Sequence, residues 1–152
     1  MTESTQTATA PESERTMDEL FEAYGEAWAS RDADAIAAFH AEEGVFHLHA
    51  AADEVRGRDA IRETFAGFLA QWPDLEFSEQ DSHLGDWGWV VRWTMSGTLA
   101  ASGEVAHGAA AEAGARFAVD AVDVIEVSGG ELTAKHTYVD SQTLLAQIGA
   151  AG

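Results

Sequence analysis

The sequence predicts an α+β fold, and three features lead to this prediction. Helical periodicity is concentrated before residue 73, whereas alternating β-rich runs dominate after residue 75. Residues 121–140 form two β-rich runs around a Gly129-Gly130 turn, and a closing helix is predicted at 141–148. No internal repeat or linker interrupts the pattern. We therefore expect one domain over 16–149, in which a curved antiparallel sheet wraps around about three helices and encloses an apolar pocket.

The predicted helices begin and end at local signals. Thr16 and Glu19 form a capping box, after which apolar residues recur at a spacing of three to four. Asp32 is placed to cap a second, short helix. A third helix opens at Gly57 and stops at Pro73, which cannot continue a helix.

The remaining segments are strands and connections. After Met1, residues 2–15 contain no large apolar side chain, so we expect a disordered tail over 1–15. A loop is expected at 50–56, and the Ala/Gly-rich stretch at 101–115 indicates a long flexible hairpin loop or a frayed strand extension. Strands are predicted at 45–49, 75–84, 87–100, 116–127 and 132–139.

The charge balance and the absence of cysteine exclude several classes of function. The chain has 27 acidic and 8 basic residues, a net charge of -19 that repels nucleic acid and anionic lipid. It has no apolar run long enough to span a membrane and no signal-peptide pattern, so we expect a cytoplasmic protein. Without cysteine, disulfides and thiolate-bound metals are excluded. The acidic surface fits either a high-GC bacterial sequence or a salt-adapted protein.

Several motifs between residues 17 and 149 resemble the NTF2-like superfamily, in its SnoaL-like polyketide cyclase branch. The resemblance implies an NTF2-like cone that holds an apolar ligand between sheet and helices, and a homodimer formed through the outer sheet face. It leaves the activity open, because this fold hosts isomerases, cyclases, epoxide hydrolases and non-catalytic domains. The motifs are Tyr24, Asp32 and Ile36, Gly57-Arg-Asp-Ala-Ile61, Pro73-Asp-Leu75, Gly85-Asp86, Val91-Arg-Trp93, Ser96-Gly97, Val122-Asp-Val-Ile125, Gly130, Tyr138, Asp140 and Leu145-Ala-Gln-Ile-Gly149.

Strand alternation divides the residues around position 93 into two faces. Arg92 and Thr94 share the polar face with Ser96, and the fold resemblance favours this face as the cavity wall. The opposite interpretation, that the apolar face is the core, stays open. The residues expected at the dimer interface are Val91, Trp93, Met95, His136 and Tyr138.

The resemblance also implies site residues, beginning with Tyr24. This residue aligns with the tyrosine of the oxyanion hole in ketosteroid isomerases, although a core tyrosine would fit the same helix stripe. Leu48 stands where those isomerases keep a general-base Asp, and Thr137 stands where cyclases and epoxide hydrolases keep an Asp. The Arg and Asp of the epoxide hydrolases are replaced by Thr94 and Ser96, so that mechanism is not expected.

Two positions remain for a catalytic acid. Glu126 aligns with the second acid of the isomerases and would have a raised pKa in an apolar pocket, whereas the alternative is a surface carboxylate. Asp123 and Asp120 are the fallback acids. They lie on opposite strand faces, so one of them can point inward.

Histidine supplies the other candidate base. His47 and His49 share one face of a strand, opposite Phe46 and Leu48. With Glu54, the two histidines form a fragment of the cupin metal motif, but the second half of that motif is missing. We therefore expect no metal site and no cofactor.

Lys135 and Thr137 are expected to point into the cavity, which places His136 on the outer face. Lys135 would then lie near Glu126, either as a structural ion link or as an acid/base couple. Arg92 and Thr137 would orient the ligand. The aromatic residues that can line the cavity are Trp28, Phe46, Phe65, Trp72 and Trp89.

Two functions follow from these residues. The first is a cofactor-independent enzyme that isomerises, cyclises or dehydrates a small apolar carbonyl compound through an enolate. The second is a non-catalytic ligand-binding or dimerisation domain, which the loss of acids at positions 48 and 137 motivates. The discriminating observation is whether an Asp, Glu or His side chain reaches the cavity.

Overall fold

Four helices pack against a curved, unclosed sheet in the computed structural model, which describes residues 15–49, 53–106 and 109–149. The prediction of an α+β cone is confirmed. The expected tail at 1–15 lies, apart from its last residue, outside the described residues. The helices are α1 (Met17–Ser30), α2 (Ala33–Ala37), α3 (Arg58–Gln71) and α4 (Ser141–Gln147).

The strands form a six-stranded sheet and a separate two-stranded ribbon. They are β1 (His40–Leu48), β2 (Val55–Arg56), β3 (Glu76–Gly85), β4 (Gly88–Thr98), β5 (Gly103–Ala106), β6 (Ala109–Ala111), β7 (Arg116–Ser128) and β8 (Glu131–Val139). The order in the main sheet is β2-β1-β8-β7-β4-β3. All neighbours are antiparallel except β1 and β8, which pair in parallel. The curved sheet, which was expected to be antiparallel, thus contains one parallel pair, because no short hairpin dictates the relative direction of these two strands.

Two segments outside the predicted strands contain paired strand residues. In the 50–56 segment, Val55 and Arg56 pair with β1, while residues 50–52 lie outside the described part of the chain. In the 101–115 segment, β5 and β6 form the ribbon, with Gly103 opposite Ala111. Small Ala and Gly side chains give little alternation in hydrophobicity, so the sequence carries a weak signal for this ribbon.

The predicted helix signals are present in the structure. Thr16 accepts a hydrogen bond from the Glu19 backbone N–H, and the Glu19 carboxylate accepts one from the Thr16 N–H. Asp32 accepts bonds from two backbone N–H groups at the start of α2. These caps satisfy N–H groups that have no partner within the helix.

The core consists of two clusters that meet between the sheet and the helices. The first contains Leu20, Tyr24, Ala27, Ile36, Phe46, Ile61, Phe65, Trp89, Val91, Ile125 and Leu132. The second contains Trp72, Leu75, Leu99, Ala111, Phe117, Val119 and Ile148. Trp28, Phe68 and Leu69 pack against both clusters, so α1 and α3 connect them.

The inner face of the sheet is the apolar one, which corrects the assignment made for β4. Val91 is 1% exposed, and Trp93 and Met95 also face the helices, so none of the three lies at an outer dimer surface. Arg92 is on the outer face and pairs with Asp81, with 2.9 Å between guanidinium and carboxylate. The helices bury one sheet face, and burial favours the large apolar set there.

Candidate functional site

Two cavities meet at one wall of the cone. The first, about 140 Å³, lies between α3, α4 and the sheet, and apolar side chains form most of its lining. The second is a larger cleft of about 640 Å³ between α1 and strands β3, β4 and β7. Exposed carboxylates lie along this cleft, from Glu22, Glu26, Glu76 and Glu79. Both cavities contact the same two buried charged residues, Asp123 and Lys135.

Asp123 presents a buried carboxylate to this shared wall. It is 5% exposed and lies on the inner face of β7, opposite Val91 on one side and Thr137 on the other. The Thr137 hydroxyl donates to Oδ1 at 2.6 Å and the Trp93 indole N–H donates to Oδ2 at 2.9 Å. These two donors hold the carboxylate in one orientation toward its cationic neighbour.

Lys135 is that neighbour, and its ammonium group is enclosed by aromatic rings. Nζ lies 3.8 Å from Asp123 Oδ2 and donates to the Tyr24 hydroxyl at 3.1 Å. It also lies 4.7 Å from the ring centre of Trp28 and 5.4 Å from that of Phe65, within cation–π range. Burial disfavours the charge, but Asp123 and Tyr24 outweigh it and raise the pKa of Lys135. The side chain is therefore an ammonium ion at neutral pH.

Tyr24 and His40 extend the network beneath α1. The Tyr24 hydroxyl lies 2.8 Å from His40 Nε2. Burial raises the pKa of Tyr24, against the opposing effect of the Lys135 ammonium, so the phenol stays protonated. His40 is 0% exposed, and burial, Lys135 and Arg58 together lower its pKa to about 3. The imidazole is neutral at pH 7, and its Nδ1 has no hydrogen-bond partner among the described residues.

The comparisons with known proteins place the chain in a family. The family model for the SnoaL-like domain matches residues 21–135. The chain belongs to the SnoaL-like domain family. The match begins within α1 and ends at Lys135 in β8, so it includes the charged residues that line the two cavities. No curated protein sequence matches this SnoaL-like domain.

Solved structures share the fold of this SnoaL-like domain at low sequence identity. A protein with a ketosteroid isomerase-like fold from Catenulispora acidiphila, solved with trimethylamine, is 20% identical with a TM-score of 0.73, covering 90% of this chain and 96% of that one. A proposed SnoaL-like polyketide cyclase from a Jannaschia species is 16% identical with a TM-score of 0.74, covering 90% and 93%. A proposed polyketide cyclase from Streptomyces antibioticus, IdmH, is 23% identical with a TM-score of 0.70, covering 89% and 99%. These similarities show that this chain and the three solved structures share a fold.

The SnoaL-like domain brings most of the expected site residues together. Asp123, Lys135 and Thr137 are among the polar residues that line the first cavity, and Tyr24 lines the second cavity. Trp72 also lines the first cavity and Trp89 the second. The predicted apolar lining residues found at the first cavity are Trp28, Phe46, Leu48 and Phe65.

Glu126 does not reach either cavity, so its expected place in the pocket is wrong. The side chain is exposed and lies opposite Gly88 and Ala134 on the outer face. Alternation along β7 turns Ile125 inward and therefore turns Glu126 outward. Lys135 accordingly pairs with Asp123 and not with Glu126. Asp120, the other fallback acid, is exposed and accepts a hydrogen bond from Gln80.

The remaining predicted site residues also lie on the outer face of the SnoaL-like domain. His47 and His49 point away from the cavity, because Phe46 and Leu48 occupy the inner face of β1. Arg92 and Thr94 do not line either cavity; Thr94 accepts a hydrogen bond from Gln80 at 3.0 Å. The structure corrects the expectation that these four residues act in the pocket, because strand alternation turns their side chains toward the outer face of the sheet.

Sequence reasoning missed His40 as a member of the network. The predicted first strand began at Val45, whereas β1 begins at His40, whose ring contacts Tyr24 and Phe65. The only signal in the sequence was its place directly after the apolar Phe39.

No helix among the described residues is long and apolar enough to cross a bilayer.

Proposed function

We propose that this SnoaL-like domain is a cofactor-independent acid/base enzyme that acts on a small apolar carbonyl compound. One observation carries the proposal: a carboxylate and an ammonium group, each 5% exposed and 3.8 Å apart, lie at the wall shared by two cavities. Buried ionisable groups in a cleft are typical of catalytic sites. The apolar lining of the first cavity favours a substrate with a hydrocarbon body.

In the proposed reaction, Asp123 removes a proton from the carbon next to the carbonyl group. The Lys135 ammonium stabilises the negative charge that develops on the enolate oxygen. Thr137 and Trp93 keep the carboxylate aimed at the cavity wall. The enolate is then reprotonated at another carbon, attacks a second carbonyl group, or expels a β-hydroxyl group as water. These outcomes correspond to isomerisation, aldol-type cyclisation and dehydration.

Tyr24 supports this step from the second cavity. Its hydroxyl accepts a hydrogen bond from Lys135. If His40 donates to the Tyr24 hydroxyl through Nε2–H, the phenol hydrogen stays free to bond an oxygen of the ligand. This is the oxyanion role that the family resemblance implies. If Tyr24 instead donates its proton to His40, its hydroxyl serves only to hold Lys135 in place, and Tyr24 is a positioning residue.

A non-catalytic ligand-binding domain is the second candidate, and one observation favours it. Asp123 already accepts two hydrogen bonds and pairs with Lys135, an arrangement that also serves as a purely structural ion pair. The two candidates differ in whether the carboxylate exchanges a proton with a bound carbonyl compound.

The test is deuterium exchange at the α-carbon of small aromatic and alicyclic ketones, followed by NMR in D2O. We expect the wild type to accelerate exchange and Asp123→Asn to slow it by about 100-fold or more, because the base is lost. Glu126→Gln removes an exposed carboxylate further along the same strand, on its outer face, and is the matched control, with an unchanged rate. Tyr24→Phe should lower the rate by about tenfold or more.

Ligand binding is measured in parallel through tryptophan fluorescence, since Trp28 lines both cavities. A ketone that binds wild type and Asp123→Asn alike without exchange would support the non-catalytic candidate. Equal exchange in Asp123→Asn and wild type would remove Asp123 from the mechanism.

A homodimer through the outer sheet face is part of the proposal, with a revised set of contacts. The outer side chains of β4, β7 and β8 include Val90, Val122 and Val124, all half-buried, and Tyr138, which is 46% exposed. Large apolar groups that are left on an open sheet face favour a partner surface. Val90, Val122 and Val124 replace Val91, Trp93 and Met95 of the sequence-based prediction.

A further inference from the structure

Three histidines converge on the outer face of the sheet, on the opposite side from the cavities. His47 and His49 are alternate residues of β1, so they share a face, and His136 lies directly opposite His47 on the parallel strand β8. The proposed acid/base mechanism uses none of the three. In the single chain their side chains are half-buried and held by neighbours, and the cluster lies beside the proposed dimer contact at Val124.

The ring nitrogens are close enough to share one ligand. One coordinating nitrogen from each ring lies within 4.8 Å of the others. His49 Nε2 and His136 Nδ1 are 2.8 Å apart, and the rings of His47 and His49 are 3.8 Å apart between centres. In a tetrahedral zinc site with bonds of 2.0–2.1 Å, ligand nitrogens lie roughly 3.3 Å apart. The 2.8 Å between His49 Nε2 and His136 Nδ1 is shorter than this value and the other nitrogen pairs lie within 4.8 Å, so the three nitrogens can share one ion after ring rotation.

We propose that His47, His49 and His136 form a three-imidazole site for one divalent transition-metal ion of the zinc class. Imidazole nitrogen suits zinc, copper and nickel, whereas calcium and magnesium prefer oxygen ligands. Three protein ligands leave a fourth tetrahedral position for water or an added ligand. The site is separate from the proposed catalytic groups and does not depend on them.

A local contact and the overall charge support this assignment. The Tyr138 ring stacks on His49 at 4.2 Å with an angle of 9° between the planes, which restricts the imidazole before any metal binds. The net charge of -19 also concentrates cations near the surface.

The ligand set differs from the one that the sequence spacing suggested. Glu54, the third member of the cupin-like fragment, is paired with Arg56 at 3.5 Å and does not belong to the cluster. The third nitrogen comes from β8, 87 residues after His49. Because His136 lies between Lys135 and Thr137, a metal ion here would restrain the segment of β8 that carries both cavity residues.

The experiment is zinc titration of the tag-free full chain after removal of metal with a chelator, followed by calorimetry. We expect saturable binding of one ion per chain and a higher melting temperature with zinc, because the ion binds the folded state. His47→Gln, His49→Gln and His136→Gln should each weaken binding by at least about tenfold. His83→Gln, which removes an exposed histidine of β3, is the control and should bind as the wild type does.

Cobalt(II) gives a second readout that does not depend on stability. Tetrahedral coordination by the three imidazoles should produce visible absorption in the wild type and in His83→Gln, and the three cluster variants should lose it. Far-UV circular dichroism shows that each variant is folded. Absence of saturable zinc binding, or equal affinity in the cluster variants and His83→Gln, would overturn the proposal.

Discussion

Lys135 is the residue on which the charge state of the site depends. Three aromatic rings surround its ammonium group, and Asp123 supplies the compensating charge. A lysine that forms a Schiff base must first be neutral, and the raised pKa of Lys135 opposes that. The pair thus fits electrostatic stabilisation of an enolate, and removal of one partner would leave the other as an uncompensated buried charge.

His40 makes acid stability a sensitive probe of this network. Its pKa is about 3 in the folded protein, well below the ordinary histidine value of about 6.5, so between these pH values the unfolded chain binds one more proton. Stability should therefore fall as the pH drops from about 6.5 to about 3, by up to about 1.4 kcal/mol per pH unit and about 5 kcal/mol in all from this group. Urea unfolding across this range measures the slope.

The variant His40→Gln should show a shallower slope over the same range, whatever its absolute stability. His83→Gln removes an exposed imidazole and serves as the matched control. Identical slopes for wild type and His40→Gln would contradict the assignment of a buried neutral imidazole at position 40.

At the scale of elements, the turn between β3 and β4 depends on Gly88. Its φ is 144°, and an added Cβ would lie 2.9 Å from the Ile125 carbonyl carbon and closer still to its oxygen. Gly88→Ala should destabilise the protein by at least about 2 kcal/mol, because β7 cannot move without breaking its ladder with β4. Chemical denaturation measures the change.

Gly67 provides the control for this prediction. It lies within α3, where an added methyl group meets no other heavy atom within 4 Å. Gly67→Ala should therefore stabilise the protein by about 0.5–1 kcal/mol through the helix propensity of alanine. A Gly88→Ala variant as stable as wild type would show that the turn tolerates a side chain.

Strand alternation could be predicted from the sequence, but the side that each set faces could not. The pattern placed Val91, Trp93 and Met95 together on β4, and they are together. The face on which they lie depends on where α1 and α3 pack. Alternation within one strand shows which residues share a face, but it does not show which of the two faces the helices cover. The family resemblance favoured the polar set as cavity wall, and packing of the apolar set against the helices reversed it.

At the scale of the whole molecule, the outer sheet face should join two copies of the chain. Val124 lies at the centre of that face, opposite Val90 on one strand and His136 on the other. Val124→Glu should convert a dimer to a monomer, because it places a charge in the apolar centre of the interface. Light scattering coupled to size-exclusion chromatography measures the mass.

The control for the dimer is Ala66→Glu, which adds the same charge on the exposed side of α3. Each chain carries a net charge of -19, so association should strengthen as salt screens the repulsion. A wild type that is monomeric at every salt concentration would refute the interface.

The sequence by itself determined the α+β class, the helix caps and the residues that share each strand face. These properties depend on neighbours within a few positions, where periodicity and capping residues act directly. Only the tertiary structure decided that β1 and β8 run parallel, that Asp123 and not Glu126 meets Lys135, and that His136 lies beside His49. These contacts join distant segments through packing of the helices on one sheet face, and local sequence patterns carry no information about that choice.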